Sequence, residues 1–464
     1  MRKNAWEKYP EGKKRQKVFD FAEEYRSFIS ECKTERECAA RFIEMAENDG
    51  FVDLNDCISS KKKLKAGDKV YYNNMDKSLA LFVIGKESLE DGMNILGAHI
   101  DSPRLDLKQV PLYEDTEMAM LDTHYYGGVK KYQWVTLPLA LHGVIVKKDG
   151  AVVNVSIGDK PEDPVFGVSD LLIHLSADQL EKKAAKVIEG EKLDLLIGSI
   201  PKEKGKDEKD KKDLVKANIL NILSEQYGID EDDFLSAEIE VVPAGPARDY
   251  GFDRSLIMGY GHDDRVCAYP SYKAIAKMKT PDYTSVCLLV DKEEIGSVGA
   301  TGMHSRFFED CVAEILNLMG GYSEISLRRA MRNSRVLSSD VSAAYDSNYA
   351  EVNEKKNAAY LGNGLVFNKY TGSRGKAGSN DANAEYMARI RNVMDKAEVS
   401  FQTAELGKVD QGGGGTIAYI LANYGMEVID SGVAVLNMHA PWEIISKVDL
   451  YEAYLGYVAF LKEM

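Results

Sequence analysis

Five short motifs in this 464-residue chain carry histidine, aspartate or glutamate, and each follows an apolar run. In chain order they are Gly97-Ala98-His99-Ile100-Asp101, Gly261-His262-Asp263-Asp264-Arg265, Asp291-Lys292-Glu293-Glu294-Ile295-Gly296, Ser338-Ser339-Asp340 and Asn437-Met438-His439. Imidazole nitrogens and carboxylate oxygens are ligands that zinc, manganese and cobalt accept in proteins. Together the motifs predict a hydrolytic site built around two metal ions.

The first two motifs supply an imidazole and two candidate bridging carboxylates. His99 and Asp101 lie two residues apart on a predicted strand, so their side chains share a face and Asp101 can orient the His99 ring. A buried histidine with a salt-bridged neighbour would give the same pattern. Asp263 and Asp264 precede a predicted helix, where one carboxylate could bridge two cations, or Asp263 could cap the helix.

The third motif places two carboxylates next to each other at the end of an apolar strand. Glu293 and Glu294 repel each other there unless a cation compensates their charge or one of them is protonated. Because adjacent side chains diverge, one can bind a metal ion while the other acts as general base, and the pattern does not assign the two roles. Asp340 and His439 each end a further apolar run and complete the predicted ligands.

Alternating strands and helices predict how the motifs come together. After residue 242, the predicted strands are 256–258, 285–290, 336–339 and 433–438, and the predicted helices are 265–278, 307–319, 381–395, 416–424 and 447–462. Nearer the amino terminus, we predict helices over 17–29 and 34–46 and strands over 70–72, 79–84 and 95–99. The alternation is typical of an α/β fold with a mostly parallel sheet flanked by helices, in which reactive groups gather at the carboxyl ends of the strands.

Residues 107–242 have a different character, with short apolar runs separated by glycine, proline and aspartate. This pattern predicts an inserted β-rich domain, so that residues 1–106 and 243–464 form the discontinuous domain that carries the motifs. Within the insertion, residues 202–213 are a run of mixed charges without an apolar face, which predicts a solvated loop.

Composition excludes several classes of protein. The net charge of -15 argues against nucleic acid as a partner, because binding to the phosphate backbone depends on clustered lysine and arginine. No apolar stretch approaches the roughly 20 residues of a membrane helix, so no membrane partner is expected. The opening residues lack a secretory signal, which predicts a cytoplasmic protein. The six cysteines have no Cys-x-x-Cys spacing, so neither a disulfide framework nor a cysteine metal site is expected.

The order histidine, aspartate, paired glutamates, aspartate, histidine resembles the aspartyl aminopeptidase and vacuolar aminopeptidase I family of dizinc metallo-aminopeptidases. The resemblance extends to residues 99–103, 125–143, 172–175 and 346–349. It implies a zinc-exopeptidase-like sheet with an inserted domain, and removal of N-terminal residues, including acidic ones, from peptides. Zinc is the metal it implies, although the same ligands suit manganese or cobalt.

The resemblance also assigns roles that the residues alone leave open. Glu293 is implied as the general base, Asp101 as a catalytic residue, and Asp263 as the bridging ligand, joined to Asp264 by a cis peptide. His99 and Asp340 are expected on opposite sides of Asp263. The implied metal ligands are His99, Asp263, Glu294, Asp340 and His439.

Two further residues are implied as substrate contacts, and the family assembles as a homo-oligomer, a dodecamer formed through the inserted domain. His174 in the insertion is expected to reach the active site of a neighbouring subunit, with a core histidine as the alternative. Lys369 is a candidate for an acidic side-chain pocket, with an exposed lysine as the alternative. Residues 343–346 lack the histidine that animal members carry there, so a preference for aspartyl substrates stays open.

Two other functions fit the same residues. The site could belong to another two-metal amidohydrolase, such as a deacylase or carboxypeptidase, because these ligands serve any amide. A non-catalytic, self-assembling shell that keeps metal only for structure is the third possibility. The presence of both Glu293 and Asp101 favours an enzyme over such a shell.

Overall fold

A computed structural model describes residues 3–203, 212–372 and 375–464. The chain divides into two compact units, the first made of Met1–Ser102, Ala247–Met438 and Glu443–Met464, and the second of Pro103–Pro246 and His439–Trp442. Most of the charged run predicted as a solvated loop, residues 204–211, lies outside the described residues.

The strands and α-helices are labelled in chain order. The strands are β1 (Val52–Asp53), β2 (Lys69–Asn74), β3 (Ser78–Val83), β4 (Met93–His99), β5 (Arg104–Asp115), β6 (Met118–Tyr126), β7 (Leu139–Val146), β8 (Val152–Ile157), β9 (Leu195–Gly198), β10 (Ala237–Pro243), β11 (Arg248–Tyr250), β12 (Leu256–Gly259), β13 (Thr284–Val290), β14 (Arg335–Ser338), β15 (Ser342–Ala343), β16 (Leu365–Asn368), β17 (Phe401–Ala404), β18 (Glu427–Gly432), β19 (Ala434–Leu436) and β20 (Glu443–Ser446). The helices are α1 (Lys13–Glu31), α2 (Glu35–Asn48), α3 (Leu54–Ser60), α4 (Ala177–Leu180), α5 (Ala184–Val187), α6 (Leu214–Ile222), α7 (His262–Ala276), α8 (Phe307–Met319), α9 (Glu324–Arg332), α10 (Ala384–Lys396), α11 (Ala418–Ala422) and α12 (Lys447–Glu463).

A nine-stranded sheet forms the centre of the first unit, in the order β1-β2-β3-β13-β4-β14-β18-β16-β17. Its four central strands, β13, β4, β14 and β18, run parallel to one another. Every residue of β13 and of β4 is buried, which explains why both strands are apolar along most of their length. The predicted α/β class is confirmed.

Helices cover both faces of this sheet. Because side chains alternate along a strand, Leu96 and Ala98 of β4 pack on one face with α1, α2, α7, α10 and α12. Ile95 packs on the opposite face with α3, α8, α9 and α11. The two cores fix β4 from both sides, so that its last residue, His99, is held at the carboxyl edge of the sheet.

Two strands predicted within the alternation lie outside the parallel sheet. Strands β12 and β19 both pair antiparallel with β20 in a separate five-stranded sheet of the first unit, ordered β11-β12-β20-β19-β15. The chain changes sheet between β18 and β19 at Gly432, where a side-chain Cβ would lie 1.9 Å from the Asp340 carbonyl oxygen.

The second unit is built on a six-stranded antiparallel sheet in the order β8-β7-β10-β5-β6-β9. Helix α6 and the short helices α4 and α5 belong to the same unit. Across the described part of the chain, no helix combines the length and apolar character that crossing a bilayer requires.

Candidate metal centre

Candidate ligands of the first unit lie at the carboxyl ends of three adjacent parallel strands. His99 is the last residue of β4, Glu293 and Glu294 lie just after β13, and Asp340 lies just after β14. Because β13, β4 and β14 are neighbours that run in the same direction, these residues meet at one edge of the sheet.

Their donor atoms form two overlapping groups. The ligand atoms of His99, Asp263 and Asp340 lie within 4.8 Å of one another, and so do those of His99, Glu293 and Glu294. His99 Nε2 is 3.1 Å from Asp263 Oδ1, 3.9 Å from Glu293 Oε2 and 4.0 Å from Asp340 Oδ1. The expected placement of His99 and Asp340 on opposite sides of Asp263 stays a prediction. One imidazole surrounded by carboxylates is a donor set that fits zinc.

Electrostatics favour a cation at this position. Burial raises the pKa of Asp340 well above its usual range, and the charges of Glu293 and Asp264 raise it further. Burial alone lowers the pKa of His99, but its hydrogen bonds to Asp101 and Asp263 outweigh that effect and leave the pKa raised. A divalent cation would compensate the concentrated negative charge.

Asp101 contacts both His99 and the paired glutamates. Its Oδ1 lies 3.2 Å from His99 Nδ1. Its two carboxylate oxygens also accept the main-chain N–H groups of Glu293 and Glu294, each at 3.2 Å. Asp101 is fully buried. Through these contacts it orients the imidazole and also holds the turn that carries the paired glutamates. Sequence reasoning missed this second contact.

Asp263 and Asp264 have different surroundings. The peptide between them is cis, as the resemblance implied. The Asp263 carboxylate faces His99 Nε2, whereas Asp264 Oδ2 accepts the main-chain N–H of His99 at 3.2 Å. Gly261 occupies the N-cap position of α7, but Asp263 itself has non-helical backbone angles, so the alternative of Asp263 as a cap for the residues that follow stays open.

Two polar residues next to Asp263 were not predicted as part of the site. Glu443 Oε2 accepts the main-chain N–H of Asp263 at 3.0 Å, and Ser102 Oγ donates to its carbonyl oxygen at 2.7 Å. Ser102 directly follows the first motif, a signal that could have indicated it. Nothing in the sequence around Glu443 indicated its contact.

The remaining predicted residues are placed as follows. His439 begins the segment His439–Trp442 of the second unit, where its Nδ1 lies 2.9 Å from the Gly128 carbonyl oxygen. His174 is exposed on a 3-10 helix, Ile173–Leu175, so the alternative of a core histidine is wrong. Lys369 follows β16, and its ammonium group pairs with the carboxylate of Asp381.

Comparison with known proteins adds independent findings. A family model described as aminopeptidase I zinc metalloprotease (M18) matches residues 28–461. A Clostridium acetobutylicum protein named probable M18 family aminopeptidase 1 is 64% identical over 459 residues, which cover 99% of this chain and 98% of the relative. The crystal structure of an M18-family aminopeptidase from Thermotoga maritima matches with a TM-score of 0.93 and 44% identity over 100% of both chains. The S. cerevisiae mApe1 dodecamer, at 19% identity and a TM-score of 0.76 over 96% of this chain and 97% of that one, shares the fold.

Proposed function

The chain belongs to the aminopeptidase I (M18) family of zinc metalloproteases, as its sequence predicted, and on this premise we propose that it removes N-terminal residues from peptides with two zinc ions in one active site. It is an aminopeptidase and therefore a hydrolase. The observation that carries the proposal is the position of His99 Nε2, which lies within 4.0 Å of carboxylate oxygens of Asp263, Glu293 and Asp340.

We propose that His99, Asp263 and Asp340 hold one ion and that Asp263 is shared with a second. The proximity of the donor atoms of these three residues supports the first part. Glu294 and His439 are proposed as the other ligands of the second ion. Two observations support His439. It belongs to one of the five motifs, and it directly follows Met438, the last residue of the first-unit segment Ala247–Met438.

The proposed reaction is hydrolysis of the first peptide bond. When bound, the ions lower the pKa of water and polarise the scissile carbonyl. Glu293 takes the proton of the attacking water and returns it to the leaving amine as general base and then general acid. Its side chain is only 14% exposed, which shields the carboxylate from bulk solvent. Asp101 keeps the His99 ring and the main chain of Glu293 in place.

Lys369 is proposed to contact acidic side chains of substrates. Its ammonium group already pairs with Asp381, and Lys376 Nζ lies 3.0 Å from the same carboxylate. An acidic substrate must therefore compete with Asp381 for Lys369. We expect acidic N-terminal residues to be accepted without being preferred over neutral ones.

A panel of substrates tests the proposed function. After chelation, the protein is reloaded with zinc, manganese or cobalt and assayed on aminoacyl substrates of varied side chain and on N-acyl amino acids. We expect hydrolysis of the aminoacyl substrates alone, because the proposed site binds a free amine, and a zinc titration that saturates at two ions per chain. Hydrolysis of the N-acyl compounds alone would support a deacylase instead.

We also propose that the chain forms a homo-oligomer through its second unit. Five large apolar residues there are between 54% and 71% exposed: Leu171, Leu172, Ile173, Leu175 and Leu180. Four of the five lie between residues 171 and 175, and exposed apolar patches often mark protein–protein interaction sites. A neighbouring copy of the chain would cover these residues and bring His174, which lies in the same segment, towards that subunit's substrate. Because the S. cerevisiae relative is named as a dodecamer, an assembly of twelve subunits is the first oligomeric state to test.

Introducing charge into this segment is expected to break the assembly. The double substitution L172D/I173D should shift the protein to smaller species in light scattering coupled to size exclusion, because a buried carboxylate opposes association. Met75→Asp is the matched control, since Met75 is 64% exposed in a turn of the first unit. An unchanged mass for the double variant would contradict the proposed interface.

The location and the domain roles stay predictions from the sequence. Cell fractionation tests the cytoplasmic location. We propose that residues 107–242 serve in assembly and substrate access, and that residues 1–106 and 243–464 carry out catalysis. The exposed apolar residues between 171 and 180 support the role in assembly. The same double variant tests that role.

A further inference from the structure

The main chain of Asp263 is held from two sides by buried side chains. Gly261 has a left-handed conformation with φ of 75°, and both Asp263 and Asp264 have non-helical backbone angles at the start of α7. The N–H and the carbonyl of Asp263 therefore need partners outside the helix. Glu443 Oε2 accepts the N–H at 3.0 Å, and Ser102 Oγ donates to the carbonyl oxygen at 2.7 Å.

The five-stranded sheet places Glu443 at this position. Glu443 is the first residue of β20, and its backbone pairs with Gly259, the last residue of β12. Asp263 follows Gly259 by only four residues. The pairing of Gly259 with Glu443 therefore brings the Glu443 carboxylate close to the main-chain N–H of Asp263. Glu443 is only 1% exposed, which protects its hydrogen bond from competition by water.

We infer that Glu443 is a positioning residue of the metal centre. Hydrogen bonds to both the N–H and the carbonyl of Asp263 restrain its main chain and therefore the position of its Cβ, from which the carboxylate reaches His99 Nε2 at 3.1 Å. The inference rests on the proposed function, in which Asp263 bridges the two ions. Glu443 acts on metal binding through Asp263 and touches neither substrate nor reacting atoms.

The test compares Glu443→Met with Glu443→Gln in the full-length protein. The readouts are the zinc dissociation constant, from competition with a chromophoric chelator, and the visible spectrum of the cobalt-loaded protein. Glu443→Met removes the acceptor and is expected to raise the dissociation constant roughly 10- to 100-fold and to change the cobalt spectrum. Glu443→Gln keeps an acceptor oxygen and should restore most of the affinity.

Glu452→Met is the matched control. Glu452 is also a fully buried glutamate that accepts a main-chain N–H, that of Ser400 at 2.8 Å, and its other hydrogen bonds come from Lys8 and Tyr9. Its loss should affect stability while the folded protein keeps its zinc affinity and cobalt spectrum. A change in zinc affinity as large as that of Glu443→Met would overturn the inference.

A folded Glu443→Met variant with wild-type zinc affinity and cobalt spectrum would likewise overturn it. If Glu443→Met does not fold, Ser102→Ala takes its place, because it releases the carbonyl group of the same residue, Asp263. We expect it to weaken zinc binding several-fold, and unchanged binding would count against the inference. Failure of the wild-type protein to bind zinc or to hydrolyse aminoacyl substrates would instead refute the proposed function.

Discussion

Replacing Glu293 with glutamine is expected to lower kcat by roughly 100- to 10,000-fold while the bound zinc stays at the wild-type level. Glutamine has nearly the shape of glutamate but cannot accept a proton from the attacking water. The main-chain N–H of residue 293 still donates to Asp101, so the turn that carries the side chain is preserved. Turnover of an aminoacyl substrate and elemental analysis of zinc give the two readouts.

The neighbouring carboxylate provides the matched control. Glu294→Gln makes the same chemical change one residue away, and if Glu294 is a ligand it should weaken zinc binding. The two variants separate the roles that adjacent glutamates leave open in the sequence. Wild-type kcat in Glu293→Gln would refute its role as base. If Glu293→Gln loses zinc while Glu294→Gln retains it, Glu293 is the metal ligand and Glu294 is the general base.

Much of the central sheet could be predicted because buried parallel strands are apolar along nearly their whole length. The prediction for 285–290 differs from the observed β13, Thr284–Val290, by one residue. Helix α12 was likewise predicted to within one residue at its end. The end of an apolar run also indicates where a strand ends. For this reason the residues at strand ends could be selected as candidate ligands.

Contacts between distant segments could not be predicted in the same way. Asp101 lies 192 residues from Glu293, and Asp263 lies 180 residues from Glu443. Local periodicity indicates that a strand exists but not which strand lies beside it. For the same reason β19, which leads to His439, was not assigned to the five-stranded sheet. Strand β18 was missed for a different reason, because Asp430, Ser431 and Gly432 interrupt its apolar pattern.

Replacing Asp101 with asparagine is expected to lower kcat by at least roughly 100-fold and to reduce zinc retention. Both oxygens of Asp101 accept main-chain N–H groups, and asparagine offers only one oxygen. The N–H of Glu293 or of Glu294 then loses its buried acceptor, at a cost of about 1–3 kcal/mol. The His99 ring also loses the negative charge beside Nδ1 that orients it. Turnover and zinc content measured on the same preparation test both effects.

Asp449→Asn separates a loss at the active site from general damage to the fold. Asp449 is also fully buried, and its two carboxylate oxygens accept the main-chain N–H groups of Gly362 and Gly364, each at 2.7 Å. The substitution therefore removes one acceptor from an equivalent pair of hydrogen bonds that includes no candidate ligand. If Asp101 acts by holding His99 and the paired glutamates, Asp449→Asn lowers the free energy of unfolding but leaves kcat and zinc content unchanged. Equal losses of kcat in the two variants would mean that Asp101 contributes only to stability.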